Sequence, residues 1–235
     1  DLKRIIFSEI DCCAHPDANI ATSTSSLDIN EIASGLPGVN RCILAHPFNP
    51  PYVIPAIEVM STEKADPQVM THAIAFLKGI GMKPLEMNFF AKGYLFNRLQ
   101  APIVRETIKL VQSGMCSVEA VESALCDGLG LRWALFGNFG TNHTNAQNGI
   151  REYYHHLGPM YREVLEDQDP TPPSFESKTI ESIAQQVDEM EKNASIKDIC
   201  KWRDRMIRKI RALKIDDPHP RYRTNRKNSK SKSAQ

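Results

Sequence analysis

The periodicity of apolar residues changes once along the chain, near Gly93, and this change most limits the folds that the sequence can adopt. Before it, helical segments alternate with short apolar segments such as "RCILAH" and "PAIEVM"; after it, every periodic segment has helical spacing. Alternating helices and strands are typical of a sheet with helices packed on it. The sequence therefore predicts an α/β domain over 1–90, an all-α domain over 91–215 and a basic tail over 216–235.

Composition is compatible with a soluble protein of this kind. The chain has 235 residues, of which 41% are hydrophobic and 24% are charged, and this is ordinary for globular domains. No apolar stretch approaches the roughly 20 residues that span a bilayer, and the N-terminus lacks the pattern of a signal peptide. The six cysteines lack paired metal-ligand spacing. We therefore expect a cytoplasmic protein with reduced thiols, no zinc site and no membrane contact.

Positive charge is concentrated at the C-terminal end. Residues 201–235 contain 13 Lys or Arg against 3 Asp or Glu. Such an end could contact nucleic acid or another anionic surface. The same composition is typical of a solvated helix followed by a disordered tail, and this is the interpretation that we prefer. Nucleic-acid binding is not expected.

His46 and Glu58 are the most distinctive candidates for chemistry. His46 ends one apolar strand, and Glu58 lies 12 residues later inside the next, across a proline-rich turn. Ligands of open sheets bind beyond the strand ends, and we expect the turn to bring the two side chains together there. A histidine oriented by a carboxylate can take a proton from an alcohol as hydride leaves the adjoining carbon. A structural histidine is the alternative, although an unpaired buried carboxylate is costly.

Two further polar residues have both a functional and a structural interpretation. Ser25 follows the first strand and could face a ligand or cap the next helix, a role that Ser26 or Asp28 could also fill. Asn97, at the start of an apolar helix, could bind a ligand or serve as a capping or packing residue. A glycine-rich dinucleotide turn, G-x-G-x-x-G, follows none of the strands. The sequence is therefore expected to lack the first part of its sheet domain.

These segments together resemble the 3-hydroxyacyl-CoA dehydrogenase family. "STSSL", "AHPFNPP" with its glutamate, and "GYLFNRLQ" occur in the same order and at similar spacings over roughly residues 1–170. Within the family, "HPFNPPYVIPAIEV" and "DGLGLRWALFG" are most similar to the lambda-crystallin branch, which comprises L-gulonate 3-dehydrogenases. The resemblance implies the C-terminal part of a Rossmann-type sheet domain plus a helical dimerisation domain. It also implies a homodimer that uses NAD to oxidise the 3-hydroxyl of a small hydroxy acid such as L-gulonate.

The resemblance assigns roles to individual residues. It implies that His46 is a catalytic base and that Glu58 is its carboxylate partner. Ser25 and Asn97 are implied to bind the substrate, and Lys3, Ser25 and Asn49 are implied to lie beside the cofactor. The glycine-rich turn of the family and the acid that holds the adenine ribose have no counterpart. We therefore expect an N-terminally truncated fragment or short isoform that binds NAD poorly by itself.

Arg132 is the residue expected to select the substrate. Where the acyl-CoA enzymes have "GxPMGP", this chain has "GLRWALFGNFG", and a guanidinium can hold a carboxylate through two hydrogen bonds. Alternatively, Arg132 caps the helix predicted over 117–128. Two other functions remain open at this point: a 3-hydroxyacyl-CoA dehydrogenase, and a non-catalytic protein with a structural or dimer-partner role.

Overall fold

The computed structural model describes residues 2–220. The chain forms two compact units, which meet between Ile103 and Val104. The boundary lies inside a helix that begins in the first unit and continues into the second. Residues 221–235, which include most of the predicted basic tail, lie outside the described residues.

The first unit is built on a four-stranded sheet. The strands are β1 (Ile20–Thr22), β2 (Cys42–Pro47), β3 (Ala56–Ser61) and β4 (Lys83–Glu86), and they lie side by side in chain order. β1 pairs with β2 and β3 pairs with β4 in parallel, whereas β2 and β3 are antiparallel. The predicted strands are therefore confirmed, and the sheet is mixed because a short turn joins β2 to β3.

Helices pack on both faces of this sheet. They are α1 (Leu2–Cys13), α2 (Ile29–Ile32) and α3 (Pro67–Gly79), with a 3-10 turn at Val39–Arg41. Successive strand residues face opposite sides, so Leu44 and Met60 pack with α1 and α2, whereas Ile43 and Val59 lie in the clusters that α3 completes. Burial on both faces explains why these strands are nearly continuous in apolar residues.

The ends of the short helices follow from local sequence. The Asp66 carboxylate accepts a hydrogen bond from the Gln68 amide at the start of α3, and Pro67 occupies the first turn. Asp28 caps α2 by accepting from the Asn30 amide. Asp28 therefore fills the capping role that the sequence left open between it, Ser25 and Ser26.

A buried ion pair fastens α1 to the start of β2. The Arg41 guanidinium donates to the Asp11 carboxylate at 2.6 Å and to the backbone carbonyls of His15 and Ala18. The second Asp11 oxygen accepts from the Gly38 amide at 2.9 Å. Because the two side chains are almost fully enclosed, each depends on the other for its charge balance.

The second unit is entirely helical in its described part. Its helices are α4 (Tyr94–Gln112), which starts in the first unit, and then α5 (Val118–Ser123), α6 (Gly130–Thr144), α7 (Ile150–Asp167), α8 (Ser177–Met190) and α9 (Ile196–Asp216). Ser117 caps α5 by accepting from the Ala120 amide. The predicted change from α/β to all-α is confirmed.

A wide π turn at Ala124–Leu129 joins α5 to α6 without a break in the helix. A Cβ atom on Gly130 would lie 2.5 Å from the Leu125 carbonyl oxygen, so the close approach requires glycine. Gly137, at φ 68°, then kinks α6. Arg132 lies between the two irregularities, where the helix continues, so the alternative in which it caps the end of a 117–128 helix is wrong.

Within residues 2–220, no helix combines the length and apolar content needed to cross a bilayer, and no group of three or more potential ligand side chains could hold a metal ion. All six cysteines are free. Burial raises the pKa of the Cys42 thiol to about 11.

The Asp11–Arg41 pair generates a prediction about stability. The amide of Gly38, and to a lesser degree the guanidinium of Arg41, hold the pKa of Asp11 below its usual value. Asp11→Asn should lower the free energy of unfolding at pH 7 by about 3 kcal/mol, as when one partner of a buried pair is removed. Urea denaturation measures this loss.

The loss should also depend on pH. A carboxyl group whose pKa is lower in the folded state stabilises fully above its ordinary pKa of about 4, and that contribution disappears as the pH falls through the folded value. The difference between wild type and Asp11→Asn should therefore shrink below about pH 4. Asp17→Asn, at an exposed carboxylate beside His15, is the control. Equal losses for both variants would contradict the assignment.

Candidate active site

The candidate site lies at the edge of the sheet where β1 and β2 both end. Because β1 and β2 are parallel, their carboxyl ends share this edge, and Ser25 follows β1 there. His46 lies near the end of β2 and is directly opposite Glu58 of β3 in the antiparallel ladder. The strand register therefore places the imidazole and the carboxylate on one face of the sheet.

His46 and Glu58 form a buried pair. The His46 Nδ1 atom lies 2.5 Å from Glu58 Oε2, and the exposed fractions of the two residues are 9% and 0%. The predicted contact is confirmed, whereas the catalytic roles of the two residues stay predictions. Because Nδ1 is used by the carboxylate, Nε2 is the ring nitrogen that can face a ligand.

The second oxygen of Glu58 is also occupied. Oε1 accepts a hydrogen bond of 2.7 Å from the backbone amide of Phe96, in the first turn of α4. An Nδ1–H of His46 that donates to Oε2 would give the second carboxylate oxygen a donor as well. Glu58 therefore both orients the imidazole and holds the start of α4 against β3.

Aromatic rings enclose the pair. The ring of Tyr94 lies 5.5 Å from that of His46 and the ring of Phe96 lies 6.4 Å from it, while Phe48 packs edge-on against Phe96 at 4.5 Å. These rings exclude water from the side of the imidazole that faces the protein. Exclusion of water strengthens the electrostatic interaction between His46 and Glu58.

Ser25 and Asn97 meet at the same edge. Asn97 Nδ2 donates to the backbone carbonyl of Ser25 at 3.4 Å, and the Ser25 side chain is exposed. Asn97 lies in the fourth position of α4, and its own amide bonds to the Gly93 carbonyl. The capping interpretation of Asn97 is therefore not met, and its side chain supports the segment that carries Ser25.

The remaining predicted residues are not joined to this pair. Lys3 lies in the first turn of α1, and Asn49 is exposed in the turn between β2 and β3, where its peptide bond to Pro50 is cis. Among residues 2–220, no hydrogen bond links Lys3 or Asn49 to His46 or Glu58. Arg132 is exposed on α6 of the second unit.

The sequence did not identify two groups that shape the site, namely the Phe96 amide and the Tyr94 hydroxyl. The Tyr94 hydroxyl donates to the Leu27 carbonyl at 2.5 Å. One signal for it was available, since a tyrosine within an apolar segment normally requires a partner for its hydroxyl when it is buried. No side-chain pattern could reveal a backbone amide as the partner of Glu58.

Comparisons with known proteins identify the family of the chain. The NAD binding domain of 3-hydroxyacyl-CoA dehydrogenase matches residues 1–89, and the C-terminal domain of the same family matches residues 93–195. The chain belongs to the 3-hydroxyacyl-CoA dehydrogenase family. Its members are NAD-dependent oxidoreductases, so the chain belongs to a family of enzymes whose cofactor is NAD.

Two curated relatives represent different branches. A lambda-crystallin homolog of Homo sapiens is 32% identical over 219 residues, which are 91% of this chain and 67% of that protein. An L-carnitine dehydrogenase of Bacillus cereus is 36% identical over 162 residues, which are 68% of this chain and 50% of that protein. The chain thus spans about two thirds of the lambda-crystallin homolog and one half of the L-carnitine dehydrogenase.

Solved structures share the fold. A 5-formyl-3-hydroxy-2-methylpyridine 4-carboxylic acid 5-dehydrogenase superposes with a TM-score of 0.72 at 22% identity, over 91% of this chain and 69% of that one. A 3-hydroxyacyl-CoA dehydrogenase of Archaeoglobus fulgidus superposes with a TM-score of 0.60 at 23% identity, over 78% and 61% of the two chains. At these identities the likeness establishes the architecture alone.

The residues at this edge fit the reactive end of NAD. The parallel ends of β1 and β2, the exposed Ser25 and the imidazole of His46 form the kind of edge at which α/β sheets bind ligands. The assignment of Ser25, Asn49 and Lys3 as contacts of the cofactor stays a prediction. Within residues 2–220, the turn between β1 and α2 contains no glycine, so the described turn lacks the backbone pattern that binds a pyrophosphate.

The double use of Glu58 generates a prediction about the His46 tautomer. In Glu58→Gln, the amide oxygen should turn to the Phe96 N–H, because that backbone donor has no other partner, and the side-chain NH₂ should then face His46. Neutral His46 should therefore change from the Nδ1–H tautomer to the Nε2–H tautomer. Long-range ¹H–¹⁵N spectra of the imidazole measure this change.

Glu86→Gln is the control, since Glu86 is an exposed glutamate on the neighbouring strand β4. It should leave the His46 spectrum unchanged. An Nδ1–H tautomer that persists in Glu58→Gln would show that the carboxylate does not select the tautomer.

Proposed function

We propose that the protein is an NAD-dependent dehydrogenase that oxidises the 3-hydroxyl of a small hydroxy acid, with L-gulonate as the representative substrate. The single observation that supports this most is the buried hydrogen bond between His46 Nδ1 and Glu58 Oε2 at the sheet edge. A catalytic imidazole needs a fixed tautomer, and a hydrogen bond between Nδ1 and a carboxylate can fix it while leaving Nε2 for the substrate.

His46 is the proton acceptor in the proposed reaction. Its Nε2 atom takes the proton of the substrate hydroxyl, and the carbon–hydrogen bond at the same carbon breaks to give a ketone. NAD, when bound, accepts the hydride. Glu58 stabilises the imidazolium that forms, because its Oε2 atom lies beside Nδ1. Ser25 and Asn97 orient the hydroxyl, and their joint position at the edge supports this role.

Arg132 supports a substrate with a free carboxylate. Its guanidinium is exposed on α6, between the π turn that requires Gly130 and the kink at Gly137. π turns within helices often occur at functional sites. A guanidinium binds a carboxylate through two parallel hydrogen bonds, and the acyl part of a simple 3-hydroxyacyl-CoA has no free carboxylate. We therefore favour a free hydroxy acid over an acyl-CoA.

L-Carnitine is the second candidate substrate. An L-carnitine dehydrogenase matches 68% of this chain at 36% identity. L-Carnitine and L-gulonate are both carboxylates with a hydroxyl at carbon 3, so the same dyad would serve either one. They differ in the remainder of the molecule, which is cationic in carnitine and hydroxylated in gulonate. Competing turnover of the two substrates distinguishes them.

A second copy of the chain is the proposed partner. Large apolar side chains lie exposed on α6 at intervals of four residues, and more follow on α7; they are Leu131, Leu135, Phe139, Met160, Val164 and Leu165. Extensive exposed apolar surface is typical of surfaces that associate. We propose that they form a homodimer interface, which sedimentation velocity tests; a monomer at micromolar concentration would contradict it.

The proposed function predicts a large effect of His46→Gln on turnover. The loss of a general base should lower kcat for L-gulonate by roughly 10²–10⁴-fold without unfolding the protein. His72→Gln, on the exposed side of α3, is the matched control and should retain wild-type kcat. An unchanged kcat in His46→Gln would reject the role of His46. The complete absence of turnover in the wild-type protein would instead favour the non-catalytic alternative.

The proposed role of Arg132 predicts a separate effect on substrate affinity. Arg132→Met should raise the KM for L-gulonate by roughly ten- to a hundredfold, because a charged hydrogen-bonded pair is lost. Thermal stability should change little, since the side chain is exposed. Arg151→Met, at an exposed arginine of α7, is the control. A fall in melting temperature with an unchanged KM would show that Arg132 is structural.

A further inference from the structure

The first turn of α4 contacts both the His46–Glu58 pair and the segment Ser25–Leu27. Its Phe96 amide binds the Glu58 carboxylate, and the side chains of Tyr94 and Asn97 bind the carbonyls of Leu27 and Ser25. Three donors from four consecutive residues of α4 therefore hold the His46–Glu58 pair and the segment Ser25–Leu27 at the same time. The distance between the pair and that segment depends on this turn.

The hydroxyl of Tyr94 makes the shortest of these contacts. Tyr94 is 1% exposed, and its oxygen lies 2.5 Å from the Leu27 carbonyl oxygen. Burial raises the pKa of Tyr94 to about 12. The phenol therefore stays protonated at neutral pH and remains a donor to the carbonyl.

The ring of Tyr94 lies against the imidazole of His46, with 5.5 Å between the centroids and 52° between the planes. The backbone of Tyr94 has φ 51°, in the left-handed region, directly after Gly93 at φ 85°. Non-glycine residues rarely adopt this conformation, and they keep it where surrounding contacts fix it. The unusual backbone turns the side chain into the space between the Ser25–Leu27 segment and His46.

Packing alone does not account for the hydroxyl. A phenylalanine would fill the same space and would contact His46, Phe90 and the surrounding core equally well. The hydroxyl adds a hydrogen bond to the carbonyl of Leu27, two residues from Ser25. The amide of Leu27 is bound as well, since Thr24 Oγ1 accepts the Leu27 N–H at 3.4 Å.

We propose that Tyr94 is a positioning residue for the dehydrogenase reaction: its hydroxyl fixes the Ser25–Leu27 segment while its ring fixes the His46 imidazole, so that Ser25 and His46 reach the same substrate hydroxyl. This inference rests on the proposed function. Tyr94 does not touch the reacting atoms and acts through Ser25. The loss of its hydroxyl should therefore affect the reaction through Ser25 and not through the acid–base chemistry of His46.

The first test compares Tyr94→Phe with a matched control. Tyr94→Phe should lower kcat for L-gulonate by roughly ten- to a hundredfold with little change in KM, because small displacements of a positioning group have effects of this size. The control is Thr62→Val, which also removes a buried hydroxyl that donates to a backbone carbonyl, that of Val39 at 2.8 Å, at the other end of β3. Thr62→Val should leave kcat unchanged. Equal losses of kcat in both variants would overturn the proposal.

A double-mutant cycle separates positioning from general destabilisation. In a Ser25→Ala background, Tyr94→Phe should have little further effect on kcat, since the group that Tyr94 positions is already gone. In a Glu58→Gln background its fractional effect should persist. Full additivity with Ser25→Ala would show that Tyr94 does not act through Ser25, and would overturn the proposal.

Amide hydrogen exchange of the ligand-free protein gives a readout that does not require turnover. Tyr94→Phe should accelerate exchange in residues 24–28 and leave β2 and β3 protected. Thr24→Val removes the opposite hold on Leu27 and should produce the same local change. It also provides the test should Tyr94→Phe fail to fold. Unchanged exchange in residues 24–28 would overturn the proposal. If the wild-type protein has no turnover but exchange still accelerates in Tyr94→Phe, the proposed dehydrogenase function fails, whereas the contact between Tyr94 and the Ser25–Leu27 segment stands.

Discussion

The fold of the first unit depends on the burial of one carboxylate. Glu58 has no exposed surface, and removing a partner from such a group costs about 3–5 kcal/mol. Its two oxygens are satisfied by groups that lie far apart in the sequence, the imidazole of His46 on β2 and the backbone amide of Phe96 in α4. Strand pairing, the start of α4 and the orientation of the imidazole are therefore mutually dependent. A change in any one of them would leave a buried charge without its donor.

The register of β2 and β3 is constrained in the same way. His46 lies directly opposite Glu58, and a slip of one residue would move one of the two side chains to the opposite face, into the apolar residues beneath α3. The hydrophobic pattern of the strands and the polar pair therefore select the same register. Because the turn that joins these strands is only eight residues long, few alternative pairings could satisfy both requirements.

The parts of the structure that the sequence predicted are those determined by local patterns. The strands β2 and β3 and the contact between His46 and Glu58 follow from short apolar segments and from the cost of a lone buried carboxylate. The contacts of Tyr94 and Phe96 join residues separated by 67 and 38 positions, so no local pattern could reveal them. The π turn was missed for a related reason, since Gly130 is required by one backbone contact and not by a change of periodicity.

Two other buried groups on this face of the sheet do not compete with His46 for the proton in the proposed reaction. Burial raises the pKa of the Cys42 thiol to about 11 and that of the Tyr94 phenol to about 12, so both groups keep their protons at neutral pH. Both oxygens of Glu58 already accept hydrogen bonds, so the carboxylate cannot reach a substrate. His46 is the remaining group, and its bond through Nδ1 directs Nε2 away from Glu58. In the proposed reaction the proton of the alcohol would therefore pass to His46, while Cys42 and Tyr94 keep their own protons.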